Sequence, residues 1–461
     1  MTSILAAARP RPADRIRPAA APAATRHATV AALHDLRRGF RGPLHLPGSD
    51  EWEERRRNWS GTVAARPAVV AEAVSAADVR TAVQVAADRG LPLAIQGTGH
   101  GTQVAAPDGA LLLSTRRLDH VSVDPEWEVV RVGAGATWAD VIAAAAPYGL
   151  VPTSGDTPSV GVAGFTLGGG AGWLARRYGL AADNLLRAEV VTAAGRLVAA
   201  SAMRNSDLFW ALRGGGANFG AVTALELRLH RLPRVHAGLL WFPFERAAET
   251  IRRYRDWALR EQPRELTTAV VLARDAADAG IAGPALGLRV LCAGDRPDAE
   301  RALRGLLAVT GAPIAGELRT TPYAGAQVGG IPPRCFELLR TVPDEAVDAL
   351  TGLVAGESAV ADTVELRCWD GAIADAGPDA GPAGHRHVPF SVKVDGPPES
   401  VAPLAAHVTG GSFLNFLQDQ RRTADAYTAA DWERLGALKQ ALDPAGRFGW
   451  THRIPPRPPA A

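Results

Sequence analysis

The chain has 461 residues, too many for one small core and enough for two or three domains. Its 47% hydrophobic and 21% charged residues fit a globular protein and argue against a disordered one. The 50 basic and 48 acidic residues leave a formal charge of +2 and no basic stripe, which makes nucleic acid a poor partner. Arginine supplies nearly all the positive charge; the only lysines are Lys393 and Lys439, a bias that reads as genomic base composition. Cys292, Cys335 and Cys368 are too scattered for metal or disulfide spacing. They read as buried thiols in a reducing compartment, and no metal site is expected.

Residues 1–28 are rich in Ala, Pro and Arg and lack an apolar h-region. They are expected to be a disordered tail rather than a signal peptide, and the protein to be cytoplasmic, with no membrane partner. Residues 29–62 form an N-terminal helical segment, with helical periodicity at Leu33, Leu36 and Phe40. From residue 63 the pattern turns to short mixed elements. "AVVAEAV" predicts a buried strand. "SAADVRTAVQVAADRG" predicts a helix capped by a Ser75–Asp78 box and stopped at Gly90. "LPLAI" and "ALLLST" are further strands, and "VSVDPEWEVVRVGAG" is a strand pair around an Asp-Pro turn. Thr137 caps a helix in "TWADVIAAAAPYGL", Gly195 turns a hairpin in "AEVVTAAGRLVAA", and Ser206 caps "SDLFWALRG". "AVTALELRLH" alternates as a strand. Residues 234–410 run β-α-β-β-α, which predicts an antiparallel sheet with helices on one face. Residues 411–456 end the fold with "GGSFLNFLQD" and a helix in "TAADWERLGALKQAL". The fold class is therefore α+β.

Three segments are dense in glycine: "QGTGHGT", "SGDTPSVGVAGFTLGGGAGWLARRYGLAADN" and "RGGGANFGAVT". Each exposes several backbone N–H groups with no side chain in the way, as a pyrophosphate requires. The strict dinucleotide spacing G-x-G-x-x-G is missing, and Gly170, Gly172 and Ala175 give only a relaxed version. No Walker loop is present. Such a grip belongs to another architecture. His100 stands in the middle of the first loop, where side chains are otherwise small. By itself it reads as a loop histidine that hydrogen-bonds.

From Trp52 to Ile454 the chain resembles the berberine-bridge-enzyme-like branch of FAD-linked oxidases, with the vanillyl-alcohol-oxidase (PCMH-type) fold. "GTGHG", "GDTPSVGVAGFTLGGGAGWLARRYGLAADNL", "DLFWALRGGGANFGAVT" and the closing "FLNFLQD" carry the resemblance. It implies a two-part FAD-binding domain over 63–233, a substrate domain over 234–410, and a C-terminal segment over 411–456 that returns to the FAD domain. It implies covalent FAD, tethered at the flavin 8α carbon through His100. Gly97, Thr98, Gly99, Gly101 and Thr102 would surround the tether. Gly155, Thr157, Val160, Gly161, Gly164, Gly168, Gly169 and Gly172 would form the middle cradle, with Asn184, Val190, Asn415 and Phe416 completing the site.

The sequence departs from the family pattern in three places. Thr157 stands where many relatives attach a second time through cysteine, so attachment through one residue is expected. Gln96 replaces a common arginine. Phe413 replaces the tyrosine that deprotonates substrate two residues before Asn415, and phenylalanine has no proton to exchange. Tyr323 and Asp370 are the candidate catalytic groups in its place; Glu365, His385 and His387 read first as structural or surface residues. Val160 resembles the small residue that admits oxygen, which implies an oxidase using O2 and releasing H2O2. Phe165 and Phe413 suggest an apolar pocket. The expected substrate is thus a small hydrophobic or specialised metabolite undergoing alcohol oxidation, desaturation or oxidative cyclisation. A carbohydrate oxidase is the alternative enzyme, and a flavin-retaining binding protein without turnover is the alternative of another class. No motif names the substrate or an oligomeric state.

Overall fold

The computed structural model describes residues 23–326, 328–331, 334–356 and 359–457. Residues 1–22 of the expected tail lie outside them; the rest of that tail does not behave as expected, because a helix already begins at Ala23 and runs Ala23–Gly39. Leu36 and Phe40 are buried against the helix Ala76–Asp88 and the first sheet. That sheet has four strands in the order Leu44–His45, Val69–Glu72, Leu111–Ser114, Leu93–Gln96, and its last three are parallel. The crossover helix Ala76–Asp88 is what permits the parallel pairing. Ser75 caps it through Asp78 N–H, but the box does not close: the Asp78 carboxylate accepts from Arg41 and Val74 N–H instead, tying the helix to the chain before it.

A five-stranded antiparallel sheet follows, ordered Val121–Asp124, Val129–Gly133, Ala221–Arg228, Leu185–Val191, Leu197–Ser201. Its core includes Trp138, Phe165, Leu225 and Leu227. Thr137 and Asp140 form a complete capping box on the helix Trp138–Ala145. The expected cap at Ser206 is displaced by one residue: Asn205 takes the left-handed conformation before the helix Ser206–Leu212, and no side chain caps it.

Residues from Val235 onward build a seven-stranded, wholly antiparallel sheet. Its order is Ala315–Thr321, Val235–Pro243, Ala285–Cys292, Leu266–Ala273, Thr363–Cys368, Phe390–Asp395, Cys335–Leu339. Strand alternation sorts its side chains. Leu286, Leu288, Val270, Leu366 and Val392 face a core shared with the helices Ala247–Arg260, Arg296–Thr310 and Asp344–Gly352. Trp257 and Tyr254 are fully buried there. Arg289, Glu365, Arg367 and Lys393 therefore point the other way, toward the glycine loops of the first half.

The C-terminal stretch packs back on the five-stranded sheet through Leu414, Tyr427, Leu435 and Ile454. Lys439, on the helix Ala429–Leu442, is completely buried. Its three ammonium protons meet three acceptors: Asn218 O at 2.6 Å, Asp443 Oδ2 at 2.7 Å and Phe448 O at 3.0 Å. Asn218 also accepts from Ile454 N–H and donates to Gly215 O and His452 O. The third glycine segment is thus fastened to the C-terminus. Truncation by Lys439→Ala would leave the Asp443 charge buried and unpaired. Urea denaturation should show a loss of ~3–5 kcal/mol.

Candidate flavin site

Arg116 shapes the first glycine loop. Its guanidinium donates to Gly97 O at 3.1 Å and Thr98 O at 2.9 Å, which pulls both carbonyls to one side. Gly99 adopts φ +83°, and a Cβ there would press on Trp59 N. Gln96 is buried and holds the loop base through Arg57 O and Thr102 Oγ1. Thr98 Oγ1 accepts from Gly161 N–H at 3.1 Å, joining the first loop to the second. The His100 ring stacks on Trp59 at 4.2 Å, and its Nε2 lies 3.2 Å from Ser159 Oγ. Burial first, and then the charge of Arg116, push the imidazole down to about 4, so it is neutral at physiological pH.

The glycines divide into two kinds. At Gly172 a Cβ would overlap the Ser154 carbonyl oxygen. At Gly168 it would meet the Asn415 amide at 2.5 Å, at Gly169 the Phe413 ring at 2.7 Å, and at Gly155 the Phe165 ring at 2.8 Å. These positions are bare because protein already fills the space. Gly101 and Gly164 instead face open space, where a Cβ would find nothing within 4 Å. Those two positions leave room beside the backbone.

Several expected contact residues have their side chains engaged inside the protein. Asn415 accepts from Gly170 N–H at 2.8 Å and donates to Phe165 O at 3.0 Å, so it braces the middle loop. Asn184 donates to Tyr178 O and Leu180 O and meets His230 Nε2 at 2.8 Å. Val190 is fully buried in its strand, against Gly220. Val160 is half-buried and accepts from Trp138 N–H. Phe416 lies among Phe336 and Phe413.

The candidate catalytic groups are dispersed. Tyr323 OH lies 2.7 Å from Ser154 Oγ and clips the middle loop to the large sheet. Burial pushes the phenol up to about 12, so it stays protonated at neutral pH. Asp370 begins a turn after the strand Thr363–Cys368 and lies outside the charged cluster on that sheet. His385 bonds Asp425 O, and His387 is exposed. Phe413 is 1% exposed and packs edge-on to Trp369 at 4.9 Å. Glu365, by contrast, sits at the centre of ion pairs with Arg289, Arg367 and Lys393. Its position was readable in "TVELRCW", where Glu365 and Arg367 alternate with buried apolar residues. Trp59, Arg116, Ser159 and Asp156 gave no comparable signal.

The sequence matches the family of FAD binding domains over residues 67–201. The chain thus carries an FAD binding domain and has the fold of berberine-bridge-enzyme-like proteins. It is 37% identical over 207 residues to (R)-6-hydroxynicotine oxidase of Paenarthrobacter nicotinovorans, covering 44% of this chain and 45% of that one. The chain spans about half the length of the curated relatives it matches. The solved structure of 6-hydroxy-D-nicotine oxidase from Arthrobacter nicotinovorans superposes with a TM-score of 0.77 at 26% identity, covering 91% of this chain and 98% of that one. A berberine-bridge-enzyme-like protein of Physcomitrella patens superposes with a TM-score of 0.81 at 21% identity, covering 92% and 99%. The expected contact residues fit an FAD in one respect: the first two loops meet at Thr98 and Gly161, with open positions at Gly101 and Gly164.

Gly172→Ala should abolish soluble, flavin-loaded protein, whereas Gly101→Ala should fold and keep its melting temperature. Soluble yield and the ratio of visible to ultraviolet absorbance read the first outcome, and a thermal unfolding curve reads the second. Tyr323→Phe removes one hydrogen bond and should cost ~1 kcal/mol in denaturant unfolding. Because that phenol does not ionise near neutrality, the pH profile of turnover between 6 and 9 should stay unchanged.

Proposed function

We propose that the protein is an FAD-dependent oxidase that removes a hydride from a small hydrophobic or specialised metabolite and passes the electrons to O2. The observation that carries this reading is the state of His100. Its imidazole is neutral, and Ser159 Oγ engages Nε2. With Nε2–H donating to Ser159, the lone pair lies on Nδ1. That is the form needed for bonding to carbon, and no hydrogen bond occupies Nδ1 among the described residues. His100 would be the single covalent tether. Thr157 cannot form a thioether, and Cys292, Cys335 and Cys368 are all buried elsewhere.

Bound FAD would supply the two-electron acceptor for the hydride and the route by which O2 becomes H2O2. The chain's own tasks are to hold that group, orient the substrate and exclude water. Phe413 is packed away and Tyr323 remains protonated, so neither takes a proton from a substrate hydroxyl. This supports a substrate whose hydride leaves without a tyrosinate base, and it disfavours the carbohydrate alternative, in which a sugar hydroxyl calls for one. Val160 is small and only half-buried, which supports access for O2.

Acid precipitation of the wild-type protein should carry the yellow colour into the pellet, while His100→Ala should release it to the supernatant. Tethering should persist down to about pH 4, where protonation of the imidazole removes the reactive lone pair; incorporation of added FAD into apoprotein across pH checks this. Anaerobic photoreduction followed by air should give prompt reoxidation with peroxide. A flavin that stays reduced would favour the binding protein without turnover.

A further inference from the structure

The face of the large sheet turned toward the glycine loops carries a buried group of five charges. Glu365 and Lys393 are direct cross-strand partners, as are Arg367 and Ala269, and Ala269 and Arg289. The small Ala269 lets the Arg289 side chain reach across its strand to Glu365. Arg289 Nη1 lies 2.6 Å from Glu365 Oε2, and Arg367 Nη2 lies 2.9 Å from Oε1. Lys393 Nζ lies 3.4 Å from the same Oε1. From the opposite side, Asp156 Oδ2 approaches Arg367 at 3.5 Å and Lys393 at 3.6 Å. Burial opposes the Glu365 charge, but the three cations outweigh it and hold the carboxyl down to about 2.

Three cations face two carboxylates, which leaves one positive charge in excess. The cationic side chains are 10%, 5% and 4% exposed for Arg289, Arg367 and Lys393. Arg289 Nε and Arg367 Nε are buried with no hydrogen-bond partner. An uncompensated buried cation is costly, and a guanidinium with free donors is matched to a carboxylate. Aromatic rings flank the group: the Arg367 guanidinium lies 4.0 Å over Trp173, and Lys393 Nζ 4.4 Å over Phe416. A cavity of about 500 Å³ opens beside the cluster, over the two edge strands of the same face, lined by Ala237, Leu239, Glu317, Arg319 and Thr321 and by none of the five charged residues. Leu239 is the direct cross-strand partner of Arg289. Asp156 is three residues from Ser159, which holds His100.

We infer that the surplus charge of this cluster recognises a carboxylate on the substrate, whose apolar or aromatic body lies on the partly exposed side of Phe416. This rests on the oxidase reading and specifies its substrate class as an apolar or aromatic acid. Arg289 and Lys393 are then specificity residues, and Glu365 and Asp156 set the net charge they present.

The test titrates flavin-loaded, full-length protein with benzoate and with benzamide, which share a ring and differ in charge. Binding is read from the visible flavin spectrum and, independently, from tryptophan fluorescence. Benzoate should bind at least ten times more tightly than benzamide. Arg289→Gln removes the surplus charge and should erase that preference, while Glu365→Gln adds to it and should tighten benzoate. The two variants move in opposite directions, so loss of folding in one cannot imitate the result. Equal binding of the two probes would overturn the inference. So would a fall in the flavin midpoint potential of Arg289→Gln with benzoate binding unchanged, since the charge would then serve the cofactor. A colourless protein whose tryptophan fluorescence still separates benzoate from benzamide would sink the oxidase reading and leave the anion site standing.

Discussion

The contact of Gly172 with the Ser154 carbonyl oxygen is the constraint on which the rest of the site depends. It lets two stretches of backbone touch with no side chain between them, and so fixes where the segment from Ser154 to Val160 begins. Within seven residues that segment meets each part of the candidate site. Ser154 takes the Tyr323 hydroxyl, Asp156 faces Arg367 and Lys393, Ser159 holds His100, and the Val160 carbonyl receives Trp138 N–H. A shift of the segment would move His100 and the charged face together.

The two halves of the molecule solve different problems. The first must bring bare backbone near a large anion, and does so by turning carbonyls away. Arg116 pulls on Gly97 and Thr98, and Asn415 braces Gly170 and Phe165. The second half presents chemistry on a stiff surface. Its antiparallel sheet has one face sealed by three helices and the other free to carry charge. Residues fixed by strand pairing lose little additional entropy when they bind, which suits a specificity surface.

The two lysines illustrate how composition conceals position. Among 50 basic residues they are the only ones that are not arginine, and both are interior. Lys439 matches three protons to three carbonyl or carboxylate oxygens, an arrangement that the planar arginine fork would not fit. Lys393 reaches between Glu365 and Asp156 while lying over the Phe416 ring. Neither role follows from counting basic residues.

The sequence by itself determined the glycine loops, the alternating strands, the helix caps at Ser75 and Thr137, and the FAD binding domain, because each is written in neighbouring residues. It left undecided which glycines face open space and which face protein: Gly101 and Gly172 look alike until Ser154 is placed beside one of them. It also could not show that Asn415 spends its amide on the loop, or that Arg289, 76 positions before Glu365, would reach it across the small Ala269. Those are outcomes of long-range packing. Local propensity carries no record of them, since the energy that fixes each partner is gained only when distant segments close on one another.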